Sequence, residues 1–255
     1  NNGNKWFPLN KGGQFRKWYG NQEEIILWEN SGDIIKNEKG SVIRNEDWYF
    51  KPVFTWNMIS SGAFGLRYFP SGFIHNNASC FIGESDKELL FYLGGLMNSS
   101  VKKIVLEEFM PTLNFTPGDV GKMLVLDHND KKIINEIVES SIEISKSDWD
   151  KNEYSFMFRS HGLIHGNQNE IEESFDLYKL FWTNKFFQLH KNEEELNRKF
   201  IKIYAFQNEL NPEVPLEDIT ILREEISVVN GELVLDQNEI FSQFISYTVG
   251  CMFGR

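Results

Sequence analysis

The amino-acid sequence predicts an α+β chain, a mixed α/β module followed by a mainly helical region. Short β-rich runs punctuated by Gly, Asn and Pro fill the first third. A capping box, Ser85-Asp86-Lys87-Glu88, marks where the first helix enters. After Asp127 apolar residues recur at steps of three and four. The change of period places a junction there, giving residues 1–127 and 128–255.

In chain order, Ile25-Ile26-Leu27-Trp28, Val53-Phe54-Thr55-Trp56, Phe64 to Phe69 and Cys80-Phe81-Ile82 read as strands. Leu89 to Leu93 follows the capping box as a helix, and Val101 to Phe109 continues or follows it until Pro111. Leu113-Asn114-Phe115 reads as a short returning strand. Ile134, Ile137, Val138 and Ile142 mark a helix that starts near Asn129 or Asp130. Ile171, Phe175, Tyr178, Trp182, Phe186 and Leu189 form an aromatic stripe, and Asn192 with Glu195 reads as the cap of a separate helix carrying Leu196, Phe200 and Ile203. Residues 151–168 lack periodicity and read as a connector. Asn211-Pro212 and Pro215 break the chain before a β-prone stretch, Val228 to Leu235. Asp236 opens a last helix, with Phe241, Phe244, Ile245, Val249 and Met252 on its apolar side. These stripes read as packing surfaces.

Charge separates the two parts. The 255 residues carry a formal net charge of −11. Residues 1–67 nevertheless hold nine basic and seven acidic side chains, against 17 and 30 in the remainder. Screening limits the reach of distant charges to about 8–10 Å, so a local positive face survives on an acidic protein. Two distant cysteines, Cys80 and Cys251, and no signal sequence point to a reducing, cytoplasmic setting. The apolar run Phe244 to Phe253 is too short to cross a bilayer, so no membrane partner is expected. A start at Asn and a stop inside a helix-like pattern read as a piece of a longer protein.

The opening, Lys5 to Asn21, groups Lys, Arg, Trp, Tyr, Asn and Gln around Gly12-Gly13, with no acid before Glu23. Such a mixture suits phosphate contact, base-edge hydrogen bonding and stacking together. Chemistry of its own finds no support. The five histidines do not cluster with cysteines at zinc spacing, no nucleophile elbow occurs, and both glycine-rich phosphate motifs are missing. Gly94-Gly95 reads as a helix end or a close packing point. Glu193-Glu194-Glu195 reads as a solvated helix face.

Several segments together resemble one family. They are Asn10 to Asn21, Trp28-Glu29-Asn30, Tyr49-Phe50-Lys51, Thr55-Trp56, Ile59-Ser60-Ser61 and Phe64 to Tyr68. Pro111 to Phe115, Ile144 to Asp150, Asn192 to Phe200 and Ser246 to Arg255 follow in order. The sequence resembles the region after the catalytic domain in PglX-type adenine-specific DNA methyltransferases of BREX phage-defence systems, a family similar to fused restriction–modification enzymes. Leu113 to Val120 is also similar to the end of a recognition domain in type I specificity subunits. The resemblance covers nearly the whole chain and is weakest between Asn152 and Glu170.

The resemblance implies a target-recognition domain over 1–127 and a helical spacer region over 128–255. The family transfers a methyl group from S-adenosylmethionine to adenine N6 through an Asn-Pro-Pro-Tyr-type motif. The nearest match here, Asn211-Pro212-Glu213, lacks the second proline and the aromatic. The chain is therefore expected to bind no cofactor and transfer no methyl group by itself, S-adenosylmethionine belonging to the parent enzyme. Its expected partners are double-stranded DNA, the catalytic domain of the same polypeptide and other defence-system proteins. The expected DNA contacts are Arg16, Lys17, Lys51 and Arg67 for charge, together with Lys11. Gln14, Asn21, Thr55, Ser60 and Ser61 would read adenine or phosphate, and Trp18, Tyr19 and Trp56 would pack on sugar or bases. The rival expectation is a protein-interaction scaffold of a defence complex that makes no DNA contact.

Overall fold

The computed structural model describes residues 4–58, 64–76, 79–104, 115–165 and 170–254. The fold is α+β. Two small sheets come first. In one, β1 (Trp6–Asn10) lies between β2 (Glu24–Leu27), antiparallel, and β5 (Ile74–His75), parallel. In the other, β3 (Val53–Asn57) is central, flanked antiparallel by β4 (Arg67–Phe69) and β6 (Ser79–Gly83). Four consecutive residues of β3, Val53 to Trp56, are buried, so both of its faces are covered. The strand expected over Phe64 to Phe69 shortens to β4. Leu66 instead exchanges hydrogen bonds with the Asn98 side chain, which accepts from its amide and donates to its carbonyl.

The first long helix, α1 (Lys87–Asn98), is capped by Asp86, whose carboxylate accepts from the Glu88 amide. The cap thus falls one residue after the expected Ser85, and Leu89 rather than Glu88 takes the third helical position, so no reciprocal box forms. Gly94 and Gly95 are close packing points. A Cβ on Gly94 would lie 2.3 Å from Phe54 Cζ, and one on Gly95 would lie 2.8 Å from Val138 Cγ2. These two glycines let α1 lie against β3 on one side and the helical region on the other. Expected elements within 105–114 lie outside the described residues. Phe115 itself is nearly buried, and its carbonyl accepts from Trp56 Nε1 at 2.8 Å.

The helix α2 (Lys131–Asp150) starts after Asp130, as its spacing predicts. A single 33-residue helix, α3 (Ile171–Ile203), replaces the two expected. Asn192 caps nothing. Its amide nitrogen donates to Ser140 and Ser141 Oγ on α2 (3.1 and 3.2 Å), and its oxygen accepts from Gln188 Nε2 (2.9 Å). A polar residue inside a helix is supplied with partners by the neighbouring helix, so the helix continues. The β-prone stretch becomes a hairpin, β7 (Ile226–Val229) and β8 (Glu232–Leu235). Asn230 and Gly231 turn it, both with positive φ (52° and 80°), as a tight two-residue hairpin turn requires.

The last helix, α4 (Gln237–Met252), is capped by Asp236, which accepts from the amides of Asn238 and Glu239. Its expected apolar face packs only in part. Ile240 is buried and Phe241 and Phe244 pack on the core, whereas Ile245, Val249 and Met252 are exposed.

One buried apolar cluster runs from Trp18, Phe54 and Trp56 through Tyr92 and Leu96 to Val138, Trp182, Phe186 and Phe200. The Tyr92 and Phe200 rings meet at 5.3 Å. The sheet module and the helical region therefore share a core across residue 127. Smaller clusters under Trp28, Tyr49 and Ile74, and under Val53, Phe69 and Phe73, belong to the sheets alone. Among the described residues no helix is long and apolar enough to cross a membrane.

Candidate nucleic-acid interface

The cationic opening segment turns inward. After β1, Gly12 and Gly13 take positive φ (98° and 142°), and the chain folds under the sheets toward α2, α3 and residues 220–223. A Cβ on Gly13 would stand 2.6 Å from Asn21 Nδ2, so the turn needs glycine there. Arg16 then reaches Asp148 Oδ2 at 3.1 Å and lies over the Trp149 ring at 5.1 Å. Lys17 pairs with Glu193, and its backbone amide donates to Thr220 Oγ1. Trp18, fully buried, donates from Nε1 to the other Glu193 oxygen at 2.8 Å. Arg223 holds the carbonyl of Phe15 at 2.6 Å. Tyr19 is buried as well, and desolvation with the charge of Asp150 raises its phenol well above the usual range.

These contacts follow from charge balance. Two cations and an indole N–H taken out of water need buried acceptors, and the helical region supplies Asp148 and Glu193. Asp148 also accepts from the Leu222 amide and stands 3.8 Å from Lys151, which pairs with Glu225. Glu193, expected on a solvated helix face, is only 4% exposed; Glu194 and Glu195 pair with Arg198 nearer the surface. The residues expected to meet a duplex, Arg16, Lys17, Trp18 and Tyr19, thus join the two regions of the chain.

Arg67 is also internal. It is 1% exposed, with Nη2 donating to Asn57 Oδ1 at 2.8 Å and Nε unpartnered among the described residues. Burial, with the nearby Arg16 charge, pushes its pKa down to about 10. Asn57 in turn donates to the Gly13 carbonyl at 2.5 Å, so Arg67 steadies the turn that sends the opening segment inward. Thr55 and Trp56 lie inside β3, where a central strand buries both faces. Ser60 and Ser61 lie outside the described residues. Lys11, Gln14 and Lys51 are the members of the expected set at the surface. Lys11 pairs with Glu24 at 3.0 Å, and Lys51 Nζ stands 5.2 Å from the Trp48 ring centroid.

The sheets carry a second polar cluster that the sequence reading did not single out. A pocket of about 350 Å³ opens between β5, β6 and the turn before β3, lined by Arg44, Asn45, Trp48, His75, Asn76 and Phe81 among others. Arg44 is exposed, with no carboxylate partner among the described residues. Trp48 is half-buried against Phe81 (ring centroids 6.2 Å apart), held there because Gly83 leaves room for its ring. His75 is 3% exposed, with Nδ1 3.3 Å from Asn10 Nδ2. Burial pushes its pKa down to about 4, partly offset by the Lys51 and Trp48 carbonyls, so the imidazole is neutral at pH 7. The available signal was Arg44-Asn45 followed by Trp48 and Lys51, two cations around an aromatic between turn residues.

Among the described residues no three His, Cys, Asp or Glu side chains gather to hold a metal ion. No family model matches the chain. Two curated proteins do. The adenine-specific methyltransferase PglX of Lacticaseibacillus casei (strain Zhang) is 35% identical over 262 residues, covering 98% of this chain and 21% of that protein. The match is to PglX-type adenine-specific methyltransferases. The adenine-specific methyltransferase BrxX of Escherichia coli O9:H4 (strain HS) is 35% identical over 257 residues, with the same two coverages. The chain thus spans about a fifth of the length of the PglX-type proteins it matches. The inward ion pairs, the shared core and the outer pocket all lie within the matched length.

Proposed function

We propose that the chain is the DNA-recognition part of a larger adenine-N6 DNA methyltransferase of the BREX type, which uses S-adenosylmethionine bound elsewhere in its polypeptide. The observation that carries this reading is the 35% identity to two adenine-specific methyltransferases along 98% of the chain. An enzyme that modifies one base must extrude it while another module holds the duplex. The sheet module keeps Lys11, Gln14, Arg44 and Lys51 exposed, which suits that task. The acidic helical region then braces the module against the catalytic part. The partly buried Arg16 and the buried Lys17 and Arg67 contribute by fixing the module's orientation.

Fluorescence anisotropy with duplex DNA at rising salt tests the reading, with the full-length enzyme measured alongside. Binding that weakens steeply with salt supports DNA recognition, because neutralised phosphates release counterions. The inward commitment of Arg16 and Lys17 favours the rival, a protein-interaction scaffold without DNA contact. That rival stands if the full-length enzyme binds DNA equally well with and without Lys11, Arg44 and Lys51.

A further inference from the structure

We propose that the pocket beside Trp48 receives one unstacked nucleotide, its base against the aromatic wall and its phosphate at Arg44. The natural source, DNA, rests on the recognition reading above; the pocket's chemistry does not. The cavity, about 350 Å³, lies within the size range of small-molecule sites. Trp48 and Phe81 supply apolar ring surface, on which a base stacks regardless of its identity. Arg44 offers a planar guanidinium with no acid to occupy it among the described residues, suited to two phosphate oxygens at once.

Polar groups line the same space. The buried imidazole of His75, its Nδ1 3.3 Å from Asn10 Nδ2, forms part of the wall. Asn45 and Asn76 add amide groups around it. An aromatic wall, amide groups and an exposed guanidinium with no acid among the described residues together match a base with its phosphate.

Cys80 also lines the pocket and is buried, whereas Cys251 is exposed. In a Cys251→Ser chain, Cys80 is the single thiol, so its modification by methyl methanethiosulfonate reports occupancy. Titration with deoxyadenosine, deoxyguanosine, deoxycytidine and thymidine 5′-monophosphates should slow labelling at least fivefold at saturation, and inorganic phosphate should not. Arg44→Ala, a surface change whose fold circular dichroism checks, should weaken nucleotide binding about tenfold or more. A duplex with a one-nucleotide bulge should bind more tightly than its fully paired form and protect Cys80, because its extra base is already unstacked.

Protection by mononucleotides without any preference for the bulge identifies a free nucleotide as the source. Bulge and paired duplexes bound equally, with Cys80 labelled at one rate throughout, overturn the pocket and leave DNA recognition standing. Protection by phosphate alone, or nucleotide binding indifferent to Arg44→Ala, overturns it as well. Failure of every duplex to bind the full-length enzyme removes the recognition reading, and the mononucleotide arm then judges the pocket by itself.

Discussion

Arg16 and Lys17 on the seam between the two regions face Asp148 and Glu193 in the dry interior. Arg44 and Lys51 at the outer edge of the sheets flank Trp48 and meet no carboxylate among the described residues. The side-chain chemistry is alike, and the outcome is opposite. What separates them is whether a helix from far along the chain brings a buried acid to the same place. A paired interior cation is spent on joining; a free edge cation keeps its charge for a phosphate.

The seam gives the largest effect to test. Glu193 accepts from both Lys17 and Trp18, and its loss strands a buried ammonium and an indole N–H. Glu193→Ala should cost about 3–5 kcal/mol in urea unfolding. Lys17→Met combined with Glu193→Gln should recover much of that, since glutamine still accepts from Trp18. A loss below about 1 kcal/mol for Glu193→Ala would break the contrast, making the seam no different from a surface pair.

Protons offer the next test, because each region buries one histidine. Burial pushes His75 in the sheet module and His161 in the helical region down to about 4, the latter helped by the Lys151 and His165 charges. An unfolded histidine titrates near 6.5. Between about pH 4 and 6.5 the unfolded chain therefore holds more protons than the folded one. Stability from these groups is complete above about pH 6.5 and is lost as the pH falls, by about 3 kcal/mol for each ring, with no further loss below about pH 4. His75→Asn should remove its share of the slope in denaturation midpoints measured from pH 7 to 4. If both shares vanish together, the two regions are coupled through the shared core more tightly than through the seam.

Gly94→Ala probes that core. Its new methyl meets the Phe54 ring, and the overpacking exceeds the gain in helix propensity, for a net loss of about 1–2 kcal/mol. Adding Phe54→Leu should restore part of the midpoint. The smallest change in stability belongs to the edge. Lys51→Ala removes one exposed cation–aromatic contact, worth under about 1 kcal/mol. In the full-length enzyme the same change should reduce the salt slope of duplex binding by about one, as should Arg44→Ala. A folded Lys17→Met/Glu193→Gln protein should keep the slope of the parent. The reverse pattern would exchange the roles of seam and edge.

Local signals were legible where local chemistry decides. The helix start after Asp130, the cap at Asp236, the strands Val53–Asn57 and Ser79–Gly83 and the helix after Ser85 all follow from short-range spacing. Asn192 misled because its cap-like chemistry is satisfied by Ser140 and Ser141 on another helix, a contact no local window contains. The small strands Trp6–Asn10 and Ile74–His75 were hidden because their parallel pairing joins stretches far apart in the chain. Composition announced the cations of the opening segment but not their direction. The missing clue lay in α3: Glu193 stands in the same row as Trp182, Phe186, Leu189, Leu196 and Phe200, all buried. A carboxylate in an apolar row demands a cation, and the nearest unclaimed ones were at the other end of the sequence.

The seam also sets the order in which the polypeptide can mature. Lys17 lies 176 residues from Glu193, and Phe15 lies 208 residues from Arg223. Closing such distant contacts comes late, since long loops must be ordered before they return any energy. A ribosome that has delivered only the two sheets has released Trp18 with no acceptor for its indole and Lys17 with no counter-charge. The nascent opening strap stays open to proteases and holdase chaperones until α3 and the segment bearing Arg223 leave the exit tunnel and shut it.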